Sequence, residues 1–148
     1  MATIQLPQDF REFLRLLNLN KVEYLVIGGY AVGYHGYPRP TGDLDIWISN
    51  TPDNAERTRE ALEEFGFTCQ IDVLLEDNQV ARMGIPPFRL ELLTTIDGVD
   101  FADCYSERVT VDASGVEVSL ISLPRLKENK RASGRSKDID DLEHLPSV

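Results

Sequence analysis

"GGYAVGYHGYPRPTGDLDIWI", residues 28–48, sets two glycines directly behind an apolar run and, after a thirteen-residue spacer, two aspartates separated by one leucine. The run leading into it, "EYLVIGG", reads as a short buried strand stopped by the glycines, with a small-residue helix from about Tyr30 to His35 after it. "DLDIWIS" alternates and predicts a second strand. In a strand, residues i and i+2 point to the same face about 6.6 Å apart, so Asp43 and Asp45 stand together while Leu44, Ile46 and Ile48 face the other way. Two ionised carboxylates that close repel unless they are protonated or neutralised. A hard divalent cation, which takes oxygen ligands and favours carboxylate plus substrate phosphate, removes that penalty. Taken singly, the triplet also fits a solvated strand edge and the glycine pair a tight turn. Gly28 and Gly29 at a strand-to-helix transition further allow backbone N–H groups and a helix N-terminus to approach an anion.

A third acid appears downstream. In "RLELL", Glu91 points opposite to Leu90 and Leu92, away from the apolar face of its strand. If that strand lies beside the DLD strand, about 4.8 Å away, three carboxylates converge and two metal ions can be held, one for a triphosphate and one to activate the attacking oxygen.

The remaining pattern predicts an α/β layer. "DFREFLRLLN" carries Phe10, Phe13, Leu14, Leu16 and Leu17 at helical spacing, predicting an amphipathic helix over residues 8–18 with Asp9 near its start. Thr51 and Pro52 open a second long helix whose Ala55, Ala61, Leu62 and Phe65 face inward and which Gly66 closes. Between 67 and 87 the pattern weakens: "QVARM" fits a strand and "GIPP" a turn or extended connection. "FRLELLTT" is a strand, and "ERVTVDASGVEVSLISL" is a hairpin turning near Ala113 to Gly115. From Pro124 the chain turns helical, with Gly134 ending one helix and Ser136 capping the next.

The chain has 148 residues, 42% of them apolar, which suits one compact domain over 1–148 with C-terminal helices at about 123–145. No apolar run approaches the roughly 18 residues of a membrane span, and "MATIQLPQDF" has neither a basic n-region nor an apolar h-region, so a cytoplasmic protein without a membrane partner is expected. Cys69 and Cys104 form no CxxC pair and only two histidines are present, which argues against zinc and redox chemistry. A net charge of −10 disfavours a broad nucleic-acid surface, since an acidic chain repels phosphate backbones over a Debye length of about 10 Å. The basic residues are nevertheless concentrated: Arg125, Lys127, Lys130, Arg131, Arg135 and Lys137 lie close together against Glu128 alone. An anionic ligand is expected there.

The ordered set Ile27-Gly28-Gly29, Asp43-Leu44-Asp45-Ile46 and Leu90-Glu91-Leu92 resembles the hG[GS], Dh[DE]h and h[DE]h motifs of the DNA polymerase β-type nucleotidyltransferase superfamily. The tail "LPRLKENKRASGRSKDIDDLEHL" is similar to the helical end of small bacterial stand-alone members, including those of toxin–antitoxin and abortive-infection systems, with Lys137 and Asp138 matching a late KD pair. The resemblance spans residues 24–145 and carries Glu91 where Asp is commoner. It implies an α/β (α+β) nucleotidyltransferase fold, a mixed β-sheet flanked by helices with a C-terminal helical segment. It also implies Mg²⁺, as one or two ions held by Asp43, Asp45 and Glu91, and transfer of a nucleoside monophosphate from a nucleoside triphosphate to a hydroxyl on an RNA 3′ end, a small molecule or a protein. With no separate RNA-binding domain in the pattern, a partner chain or a homodimer is left open. The alternative is a catalytically weak nucleotide-binding regulatory or antitoxin-like partner of the same fold.

Phosphate contacts are expected from Gly28, Gly29, Arg39, Thr41, Lys127 and Lys130, the two lysines one helical turn apart. Turn chemistry between Pro38 and Pro40 accounts for Arg39 and Thr41 as well, a solvated helix face accounts for the lysines, and Asp138 equally suits its helix N-terminus. His35 reads as a helix-end residue, and Trp47, on the carboxylate side of its strand, as packing or as a platform for a base.

Overall fold

The computed structural model describes residues 2–85 and 88–147. Pro86 and Pro87, half of the expected "GIPP" connection, lie outside the described residues. Among the described residues the elements follow in the order α1 (Gln8–Leu19), β1 (Tyr24–Ile27), α2 (Gly28–Tyr34), β2 (Asp43–Ile48), α3 (Pro52–Phe65), α4 (Ile71–Leu75), β3 (Val80–Ile85), β4 (Phe88–Leu93), α5 (Phe101–Ser106), β5 (Val109–Ala113), β6 (Val116–Leu120), α6 (Leu123–Ser133) and α7 (Ser136–His144). The strands form one mixed six-stranded sheet in the order β3-β4-β2-β1-β6-β5. Pairing is antiparallel for β1–β2, β3–β4 and β5–β6, and parallel for β1–β6 and β2–β4. The chain is an α+β protein, as expected. No helix among the described residues is long and apolar enough to cross a membrane.

The apolar stripe of α1 is buried as the spacing predicts, from Phe10 to Leu17, and α1 packs on α3 and β6. All four residues of β1 are buried, which explains why its sequence runs apolar without alternation. In β2 the alternation separates chemistry from core: Leu44, Ile46 and Ile48 are fully buried, whereas Asp43 and Asp45 keep partial exposure on the opposite face. Trp47 shares the carboxylate side yet is 1% exposed; its ring N–H donates to the Thr94 carbonyl at 3.3 Å, and its ring meets Phe101 edge-on. Packing is its role.

Several helix ends depart from expectation. The side chain of Thr51 makes no capping bond; Asn54, one turn in, does the tying. Asn54 is 1% exposed, donates to the carbonyls of Glu23 and Ser49 at 3.0 and 2.7 Å, and accepts the Glu23 N–H at 2.7 Å. It thereby fixes the start of α3 to the open ends of β1 and β2. Ser136 is the first residue of α7 rather than its cap; Arg135 is the cap, and the Asp138 carboxylate reaches back to its N–H at 3.2 Å. Two short helices escaped the sequence pattern, α4 and α5; α5 is opened by the Asp100 carboxylate accepting from the Asp103 N–H.

Replacing Asn54 by Ala removes three hydrogen bonds, one fully buried and two partly so, and leaves the Ser49 carbonyl and the Glu23 N–H without their side-chain partner. A loss of about 3 kcal/mol is expected by urea denaturation, with the folded circular-dichroism spectrum retained.

Candidate active site

The site begins with strand register. In the parallel β2–β4 pair Asp43 lies opposite Arg89 and Asp45 opposite Glu91, so the even spacing within each strand brings all four side chains to one face. In the antiparallel β1–β2 pair Ile27 lies opposite Asp45, and the chain leaves β1 straight into α2. The first turn of α2 is therefore beside Asp45. There Gly28 has φ +70, and a Cβ on it would come within 2.1 Å of the Asp45 carboxylate. A Cβ on Gly29 would lie 2.6 Å from the Thr41 hydroxyl. The glycines make room for the acid and for the 35–42 loop, a steric need separate from any anion.

Asp45 is the strained member of the group. Burial first, then the charge of Glu91 and a hydrogen bond shared with it, push its carboxyl up to about 7, with Lys137 pulling the other way and Asp43 adding a smaller push. Its Oδ1 is buried without a hydrogen-bond partner. The other two acids are occupied: Asp43 accepts from Arg89 at 2.9 Å, and Glu91 accepts from Arg82 at 3.1 Å with Arg89 3.5 Å away. Among the described residues no three histidine, cysteine or carboxylate side chains make a ready metal cage.

Asp43, Asp45, Glu91 and Arg82 floor a cleft of about 710 Å³ between the sheet and α6–α7, with Arg89 behind its lining. Gly28, Gly29, Arg39, Thr41, Asp43, Asp45, Glu91 and Lys130 all line it. Lys127 does not; its ammonium donates to the Pro146 carbonyl at 2.9 Å, so the two lysines expected to act together part company. Lys130 and Arg39 reach the cleft wall with their charges engaged. Lys130 is 3% exposed and lies 3.1 Å from Asp138 and 3.0 Å from Asp141, while Arg39 donates twice to Asp141, each bond 3.0 Å. Asp138 also takes Ser133 at 2.6 Å and the Arg135 guanidinium at 2.8 and 3.2 Å. Burial alone would raise both aspartates, but these donors outweigh it and hold Asp138 and Asp141 below the usual carboxylate range. His35 ends α2 and bonds the Ile121 carbonyl at 2.7 Å.

The cleft also holds residues outside the sequence-derived phosphate set: Arg82, Thr95, Asp97, Asn129, Arg135 and Lys137. Lys137 makes no hydrogen bond or ion pair among the described residues. Its place two residues after Arg135 was visible in the KD pair, whereas Thr95, Asp97 and Asn129 come from loops and helix faces with no local signal. Arg89 was legible by the rule used for Asp43 and Asp45, since it stands two residues before Glu91 on the same strand.

Solved structures share this architecture. A crystal structure from Thermotoga maritima, assigned as a nucleotidyltransferase, superposes with a TM-score of 0.62 at 20% identity, covering 90% of this chain and 88% of that one. An antigenic nucleotidyltransferase-like protein from Paracoccidioides brasiliensis superposes with a TM-score of 0.52 at 19% identity, over 94% of this chain and 76% of that one. The fold is the nucleotidyltransferase fold. The first neighbour carries its name as an assignment and the second as a likeness, so at this identity it is the architecture that is shared. No family model matches the chain, and no curated protein does.

Two stability outcomes follow from the charges. Because folding raises the Asp45 pKa from 3.8 to about 7, its ionisation destabilises the fold as pH rises above 3.8, with the full penalty present above 7. Asp45→Asn is therefore expected to stabilise the metal-free protein by about 2–4 kcal/mol near pH 8 and by less near pH 5, read from denaturant midpoints. Asp138 and Asp141 have the opposite sign: their contribution is present above the unfolded value of 3.8 and is lost as pH falls below it. Lys130→Met, which takes the shared buried ammonium from both aspartates while leaving Arg39 on Asp141 and Ser133 and Arg135 on Asp138, should cost about 3 kcal/mol at neutral pH and less in acid.

Proposed function

We propose that this chain is a Mg²⁺-dependent nucleotidyltransferase that moves a nucleoside monophosphate from a nucleoside triphosphate to a hydroxyl acceptor. The observation that carries the reading is the β2–β4 register, which sets Asp45 directly across from Glu91 with Asp43 one step along, at the foot of a basic cleft. Like charges brought together on a half-buried face cost stability, and a cation-dependent reaction is the use that offsets the cost.

The donor set fits a magnesium ion arriving with its nucleotide. Such an ion takes one or two carboxylates together with substrate phosphates and water, so a closed protein cage is not required. Asp45 Oδ1, buried and unpartnered, is a hard oxygen aimed at no protein donor. Asp43 and Asp45 would hold the ion on the nucleotide, and Glu91 would join them for a second. When bound, Mg²⁺ would neutralise phosphate charge and lower the pKa of the acceptor hydroxyl.

The chain's own residues supply the rest. The first-turn N–H groups of α2 at Gly28 and Gly29 have no acceptor within the helix and lie at the cleft, as does the Thr41 hydroxyl. Lys137 and Arg135, on the opposite wall, would face the β- and γ-phosphates and stabilise the charge that grows on pyrophosphate. Arg135 is also paired, with Asp138, but stays exposed to the cleft; Arg39 and Lys130, more deeply buried in their pairs with Asp141 and Asp138, position that wall and add a smaller residual field. The acceptor oxygen bonds to the α-phosphorus as the bond to the bridging oxygen of pyrophosphate breaks, and the hydroxyl proton passes to solvent.

The test is transfer of label from each α-labelled nucleoside triphosphate, with Mg²⁺, into a cell extract resolved into RNA, protein and small molecules. Label is expected in one fraction with the native protein, and at least about 10²-fold less with Asp45→Asn. Equal labelling by the two proteins would overturn the metal assignment. Thermal stabilisation by nucleotide with no transfer would support a nucleotide-binding partner protein instead.

A further inference from the structure

Arg89, like Arg82, sits among the acids rather than across the cleft from them, and it reaches two of them. It precedes Glu91 by two residues on β4 and lies in register with Asp43 on β2, so strand geometry alone puts it between the two. Its Nη2 donates to Asp43 Oδ2 at 2.9 Å and stands 3.5 Å from Glu91 Oε1. One guanidinium nitrogen thus engages oxygens of two of the three carboxylates. The side chain is 32% exposed, and its Nε is buried with no hydrogen-bond partner among the described residues. An arginine serving only to brace two strands would have that donor satisfied, because an orphaned buried N–H costs about 1–3 kcal/mol. Arg82, the other arginine on Glu91, is 59% exposed on the edge strand β3 and can turn to water at little cost.

We propose that Arg89 is a displaceable internal counter-ion that makes divalent-cation binding at Asp43 and Glu91 depend on a polyphosphate. The inference rests on the nucleotidyltransferase reading. A cation entering alone competes with the guanidinium for Asp43 and Glu91 oxygens, adds two positive charges beside it, and leaves a half-buried arginine without an acceptor. A cation entering on a triphosphate brings the missing acceptor, since phosphate oxygens match the guanidinium fork and can take the released Nη2 and, once the side chain turns from its resting position into the cleft, Nε as well. Arg89 then passes from the carboxylates to the phosphates, and metal and nucleotide binding are coupled through it. By linkage the same factor by which nucleotide tightens the cation is the factor by which the cation tightens nucleotide. The device also accounts for how Asp43 and Glu91 coexist in the resting protein.

The experiment measures Mn²⁺ binding, by electron paramagnetic resonance of the free ion, to the native protein, Arg89→Met and Arg89→Gln near pH 8, with and without an α,β-methylene ATP analogue. Without the analogue, both variants are expected to bind Mn²⁺ about tenfold or more tightly than the native protein, because a competing positive charge is gone. The tightening that the analogue produces in the native protein should shrink in the variants by a similar factor. Two variants are used so that a folding failure of one, seen in its melting curve, leaves the other to decide. Mn²⁺ affinities without analogue that agree within about twofold across native protein and variants, with the analogue tightening all of them alike, would overturn the role of Arg89 and leave the function standing. Absence of Mn²⁺ binding to every protein, with and without the analogue, would overturn both.

Discussion

The parallel pairing of β2 with β4 is the constraint on which the rest of this structure depends. It sets Asp45 against Glu91 and Asp43 against Arg89, and a slip of one residue would send the acids into the core and Leu44 and Leu90 to the cleft. The buried partners Leu44, Ile46, Leu90 and Leu92 on the reverse face hold that register. The carboxylate cluster is therefore a consequence of the same alternation that builds the core, and the hydrophobic face stabilises what the polar face strains. Gly28 belongs to this logic, because any side chain there would collide with Asp45 at the one place where β1 must turn into α2.

The second organising interaction is the charge network beneath the far wall of the cleft. Lys130 lies buried between Asp138 and Asp141, and Arg39 grips Asp141 from the loop that leads into β2. That loop is otherwise rich in glycine and proline, with little apolar surface to bury. The network ties it to α7, which fixes the distance between the acidic floor and the wall bearing Arg135 and Lys137. A buried network of this kind contributes modestly to net stability, since desolvation consumes most of the Coulombic gain, but it is costly to break and so permits a single arrangement.

Much of this architecture was legible from residue patterns. The 3.6-residue period of α1, the alternation of β2, the glycine-closed α3 and α6 and the hairpin at Ser114 and Gly115 are local signals, and each was found where local chemistry places it. The pairing of β2 with β4 is not local; the sequence could only make convergence conditional on it. Residue type alone does not place a cation's partners. Lys127, Lys130 and Arg39 are basic and near the expected site, but a cation's role depends on what it already binds, and the acids at 138 and 141 that engage two of them become visible only once α7 is folded back. Short helices such as α4 and α5, at five and six residues, offer too few turns for a period to show.

The contrast between global and local charge completes the physical picture. The chain carries −10, yet five side chains lining the cleft are basic, and the acids on its floor are partly neutralised from within by Arg82 and Arg89. Beyond a Debye length of about 10 Å the molecule repels polyanions, while inside the cleft the field is set by groups a few ångströms apart. A ligand inside the cleft therefore meets the field of its immediate neighbours rather than that of the net charge. The interior of the cleft is also sensitive to the arrival of a cation, because the floor holds more negative charge than its arginines neutralise and Asp45 stands there with an oxygen that no protein donor satisfies.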